Sequence, residues 1–85
     1  MKAHVQTFGK AVTEMRGDMR LSIEELAERS GVSLRLLGRI ESGTGTGDEF
    51  GLEEICKLAN GLKVTPYRLM LKWEQLIKKA GEAWW

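Results

Sequence analysis

Cys56 and His4 are the only cysteine and the only histidine in the sequence, so the chain can assemble neither a zinc-spaced ligand set nor an internal disulfide. A reducing, intracellular setting is the expectation. The run SGTGTGDEFG, Ser42 to Gly51, holds four glycines and has some of the look of a phosphate cradle. It lacks the Gly-Lys-Ser/Thr ending and follows a helix rather than a strand, so it reads as a flexible connector. No nucleophile, base and orienting group occur together at motif spacing, and the scattered Glu and Ser residues read as helix caps and solvated faces. The expectation is a protein that is not an enzyme and needs no cofactor. Trp73, Trp84 and Trp85 crowd toward one end of the sequence. Tryptophan is enriched among the residues that dominate binding, so this end reads as an interface, either between two copies of the chain or with a different protein.

A small fold must position these groups. The 85 residues suffice for one domain spanning 1–85, burying about 60–65% of the surface that the unfolded chain would expose. With 42% hydrophobic residues, 29% charged residues and a net charge of +1, the chain has the apolar material of a compact protein rather than a disordered tail. So small a charge excess argues against a general polyanion binder. No run approaches the roughly 18 apolar residues of a membrane span, and MKAHVQTFGKAV lacks the apolar core of a secretory signal, which makes the cytoplasm the expected location.

Apolar residues recur at three and four throughout, which predicts an all-α fold with no strand. Val5, Phe8, Val12, Met15 and Met19 form one stripe on a first helix, from about Val5 to Gly17, and leave His4 in a frayed terminus. Ser22 with Glu25 is a capping box and opens a second helix, which carries Ile23, Leu26 and Ala27 as far as Ser30. Gly31 can take the left-handed conformation that ends it, Val32 follows as an apolar plug, and Ser33 caps a third helix of Leu34 to Ser42. Leu52, Ile55, Leu58, Ala59 and Leu62 define a fourth helix, with Cys56 beside the stripe as a small core residue. Thr65 and Pro66 start a fifth, whose stripe of Leu69, Trp73, Leu76 or Ile77, and Ala80 continues toward Trp84 and Trp85. That tail needs either a partner surface or an intramolecular groove.

The runs FGKAVTEMR, LSIEELAERSGVSLRLLGRIESG and LEEICKLANGLKVTPYRL resemble the helix-turn-helix family of phage repressor and Cro proteins, often called the XRE family. The resemblance covers Phe8 to Met70. Its anchors are Leu21, Ser22, Leu26 and Ala27, the turn Gly31 to Ser33, the ending Ile40 to Gly43, and the stretch Leu58 to Thr65. It implies a five-helix repressor-like domain with a core of 8–70 and a C-terminal helical extension of 71–85. In such a domain the helix after the turn enters the DNA major groove and the one before it crosses the backbone, and dimers read a pseudo-palindrome. Carried over by position, Ser33, Leu34, Arg35, Gly38 and Arg39 face the bases of double-stranded DNA. Arg35 is the candidate for two bonds to a guanine edge, and Leu34 for a thymine methyl. The resemblance further implies a structural pair of Arg16 with Glu41. The expected function is a dimeric transcriptional regulator, a repressor of Cro, controller or antitoxin type, pairing through Leu69, Trp73, Leu76, Ile77, Ala80 and Trp84.

Three features depart from the family pattern on the side that would face DNA. Ile23 stands where relatives place a polar residue against a phosphate. Asp48, Glu49, Glu53 and Glu54 follow the third helix, and no cation occurs from Glu41 to Glu54. The positive charge instead falls on Lys57, Lys63, Arg68, Lys72, Lys78 and Lys79. The expected phosphate side is therefore Ser22, Ile23 and Gly51, acting through the free amides of helix starts. The same departures, with the tryptophan-rich end, motivate a second expectation: a protein-interaction module with weak or lost DNA binding.

Overall fold

The computed structural model describes residues 2–44 and 51–81, and these form five helices: α1 (Lys2–Asp18), α2 (Ile23–Ser30), α3 (Leu34–Ser42), α4 (Leu52–Gly61) and α5 (Pro66–Lys79). No strand occurs among them. Asp48, Glu49, Phe50, Trp84 and Trp85 lie outside the described residues, and so does most of the glycine connector. Local chemistry sets the boundaries where the capping residues predict them. Ser22 Oγ accepts from the Glu25 amide at 3.0 Å, Ser33 Oγ from the Leu36 amide at 3.1 Å and Thr65 Oγ1 from the Arg68 amide at 3.2 Å. Pro66 opens α5, where a missing amide costs nothing.

The core draws on every helix: Phe8 and Val12 from α1, Leu26 from α2, Leu37 and Ile40 from α3, Leu58 from α4 and Leu69 from α5 are all fully buried. Around this centre α1 lies against α3 and α5, α2 against α3 and α4, and α4 against α5. The approach of α1 to α3 depends on Gly9. A Cβ there would overlap the Ile40 carbonyl oxygen and stand 3.1 Å from the Ile40 carbonyl carbon, so no larger residue fits this backbone crossing.

Several expectations need correction. His4 is not frayed; it lies within α1, and its carbonyl accepts from Trp73 Nε1 at 2.9 Å. Met19 does not extend the first stripe, because α1 ends at Asp18 and Met19 is exposed in the turn beyond. Leu52 is 69% exposed rather than buried, since the first residue of α4 projects past the helices that cover Ile55 and Leu58. Cys56, one position after Ile55, faces solvent and is not a core residue.

The largest correction concerns α5. Leu69 and Ile77 are completely buried in this chain and so cannot form a surface for a partner. An intramolecular groove, chiefly the flank of α1, takes up the stripe. Trp73 is half-buried, meets Phe8 edge-on at 4.9 Å between ring centroids, and ties α5 to the first turn of α1 through the His4 carbonyl. Lys72 Nζ adds an ion pair to Glu14 at 3.0 Å across the same seam. Ala80 caps α5 and is exposed, and Leu76 is half-buried.

Candidate nucleic-acid interface

The α2–turn–α3 unit is built from short-range bonds. The Ser22 amide donates to Glu25 Oε1 at 2.8 Å while the hydroxyl accepts from the Glu25 amide, which closes the capping box at the start of α2. Bonds from the Ser22 backbone and then its side chain hold the Glu25 carboxyl below its usual range. At the other end Gly31 has φ +79°, and its amide donates to the Ala27 carbonyl at 3.0 Å. The buried Ser30 hydroxyl accepts from the Val32 amide at 3.2 Å, and Val32 drops into the core. The chain thus leaves α2 and enters α3 with little freedom in the crossing angle.

On α3 the two faces separate cleanly. Leu37 and Ile40 are fully buried, Leu36 packs at the edge of the core, and Ser33, Leu34 and Arg35 are exposed. Gly38 and Arg39 are half-buried, and a Cβ on Gly38 would meet nothing within 4 Å. The N-terminal half of α3 therefore stands out from the body with a guanidinium and an isobutyl group at its tip. One turn later it presents bare backbone.

The far end of α3 is clamped. Arg16 Nε and Nη2 donate to the Glu41 carboxylate, each with a contact at 2.9 Å, and Nη1 donates to the Leu21 carbonyl at 2.8 Å. The Thr13 hydroxyl shares its one proton between Glu41 Oε1 at 3.1 Å and the Gly9 carbonyl at 2.9 Å. The bonding to Glu41 raises the Arg16 pKa above its ordinary value in spite of partial desolvation. One side chain thereby joins α1, the α1–α2 turn and α3, the structural pair that the resemblance implies.

A helix-turn-helix family model matches residues 12–69. The chain belongs to the helix-turn-helix family. Its fold is also that of two crystal structures of restriction-modification controller proteins. One is C.AhdI from Aeromonas hydrophila, 34% identical, with TM-score 0.71, covering 79% of this chain and 97% of that one. The other is a tyrosine-to-phenylalanine mutant of C.Esp1396I, 18% identical, with TM-score 0.73, covering 91% of this chain and 90% of that one. A search of curated proteins gives no significant match. As a helix-turn-helix protein of the Cro/XRE type, the chain is a DNA-binding transcriptional regulator.

The backbone donors expected to hold phosphate are arranged differently from the expectation. The Ser22 amide is taken by Glu25, and the Gly51 amide donates to Glu54 Oε1 at 2.7 Å. Each places a carboxylate where an anion would sit, which leaves the Ile23 and Glu24 amides as the first-turn donors of α2. The Ser-x-x-Glu and Gly-x-x-Glu spacings are visible in the sequence. Among the described residues no three His, Cys, Asp or Glu side chains are grouped to hold a metal, and no helix is long and apolar enough to cross a membrane.

Proposed function

We propose that this chain acts as a homodimeric, sequence-specific regulator that reads a pseudo-palindromic operator, in the manner of a restriction-modification controller. The observation that carries the reading is the exposed tip of α3, Ser33, Leu34 and Arg35, held on a clamped frame. Identity of 34% over nearly the whole of a controller protein supports the biological setting. In this reading Arg35 donates to a guanine edge and Leu34 lies against a thymine methyl. Gly38 lets the backbone approach the bases, and Arg39 works from the half-buried flank. The protein acts in the cytoplasm, without cofactor or catalysis.

The dimer surface shifts from the sequence-based expectation, because Leu69 and Ile77 are spent on the core. The outer face of α5 retains Tyr67, 70% exposed, and Met70, 42% exposed, beside Leu71 and Glu74. We assign pairing to this face, with half-sites about one helical turn apart. Tyr67→Glu is expected to turn a sedimenting dimer into a monomer without unfolding it; an unchanged sedimentation coefficient would remove the assignment.

Selection of bound sequences from random DNA, followed by titration, tests the whole reading. Arg35→Ala should cost about 1–3 kcal/mol of discrimination and relax preference at one position of each half-site. Unaltered specific affinity in that variant sinks the assignment of α3 as reader. The second reading, a protein-interaction module, is favoured by the two carboxylate-blocked helix starts and by exposed Leu34 and Leu52. Absence of any gel retardation of random DNA at low salt would select it.

A further inference from the structure

We propose that Arg20 is a phosphate-binding side chain at the rim of the reading helix, a role that rests on the DNA-binding function and that no sequence motif marks. Arg20 is exposed in the turn between α1 and α2 and has φ +58°, the left-handed region where a Cβ crowds the backbone. Its amide donates to the Gly17 carbonyl at 3.0 Å, and the Leu21 amide donates to the Arg16 carbonyl at 3.1 Å. Glycine is the low-energy residue for such a helix ending, so an arginine here carries a stability cost.

Its place gives the side chain a use. The Arg16 guanidinium bonds the Leu21 carbonyl and the Glu41 carboxylate together, which fixes the turn bearing Arg20 beside the C-terminal end of α3. Arg20 stands two residues before Ser22, which opens α2, the helix that crosses the phosphate backbone in this fold, so its cation is placed to meet the sugar-phosphate ridge beside the groove. Other donors are scarce on this side. Ile23 is apolar, the Ser22 and Gly51 amides are taken by carboxylates, and no Lys or Arg occurs between Glu41 and Glu54. Arg20 supplies the charge that Ile23 does not.

The molecule contains its own control. Lys63 also has φ +58°, in a matching turn after α4, with its amide on the Asn60 carbonyl at 3.0 Å and the Val64 amide on the Ala59 carbonyl at 2.9 Å. That turn leads into α5, whereas α3 packs chiefly on α1 and α2. The two residues share backbone geometry and charge and differ in position.

The experiment compares Arg20→Gly, Arg20→Lys, Lys63→Gly and Arg35→Ala in the full chain, by thermal melts and by titration of selected operator DNA over a salt series. Arg20→Gly and Lys63→Gly should both raise Tm, by about 4 °C. Only Arg20→Gly should weaken binding, about fivefold near 0.15 M salt and equally for operator and random DNA, with the log–log salt slope shallower by about 0.9. Arg20→Lys should keep the wild-type slope. If Arg20→Gly binds as wild type does while Arg35→Ala loses specificity, the Arg20 assignment falls and the DNA-reading function stands. Equal losses in the two glycine variants would show a bulk charge effect and overturn the assignment too. If the wild-type chain selects no DNA, or Arg35→Ala is silent, the functional reading fails and the assignment goes with it.

Discussion

Glu41→Ala is expected to destabilise the domain by about 3 kcal/mol and to lower Tm by roughly 12–24 °C. The Glu41 side chain is 9% exposed and that of Arg16 21%, so truncation strands a guanidinium that water reaches only in part. The Arg16 bond to the Leu21 carbonyl would survive, which places the loss at the lower end for a broken buried pair. Glu41→Gln retains an acceptor and should lose less. Changing both residues to methionine removes the stranded charge and should recover part of the loss, leaving the Leu21 carbonyl without its donor. Urea denaturation of the variants checks this; a loss for Glu41→Ala below about 1 kcal/mol would class the pair with ordinary surface ion pairs.

The parts of this fold that can be read in the sequence are those decided within four residues. Ser22 with Glu25, Gly31, Ser33, and Thr65 with Pro66 each set a boundary through bonds to their own neighbours, so residue type and spacing are enough. Spacing also shows that a side chain is to be covered without showing what covers it. Leu69 and Ile77 are the example: their stripe predicts burial equally well beneath a partner or beneath the chain's own α1, and only the packing separates the two. Leu52 departs from expectation because periodicity does not reveal how far a helix's neighbours extend along it, and Cys56 because, one position past Ile55, it is turned away from the buried stripe.

The candidate site divides in the same way. The exposed tip of α3 follows from the cap at Ser33 and the inward pull of Leu37 and Ile40, both local. The phosphate side does not, because one signal serves two competing ends. An acidic residue three positions after a helix start marks amides able to bind an anion and also supplies the anion that occupies them, as Glu25 and Glu54 do. Arg20 is invisible in the sequence for a different reason: its left-handed backbone and its proximity to the end of α3 are set by a turn and by a bridging guanidinium, neither of which residue type reveals.

Gly9→Ala is the second large expected effect, and it acts on the same seam as Glu41. Alanine is the better helix former by about 1 kcal/mol, so in an open helix this change would stabilise. Here the new methyl group would overlap the Ile40 carbonyl oxygen, a backbone atom that cannot rotate away, and α1 must withdraw from α3. A net loss of about 3 kcal/mol is expected, at the upper end for overpacking. The withdrawal lengthens the reach from Arg16 and Thr13 to Glu41, so the clamp weakens as the helices part. The double variant of Gly9→Ala with Glu41→Ala should therefore lose less than the two single losses added together, since each opens contacts that the other has already lost. Because α3 is carried on this seam, operator affinity in Gly9→Ala should fall further than affinity for random DNA, measured well below the variant's melting temperature. Stability within about 0.5 kcal/mol of wild type would mean that α1 can move aside at little cost, and that the close crossing at Gly9 does not hold the reading helix in place.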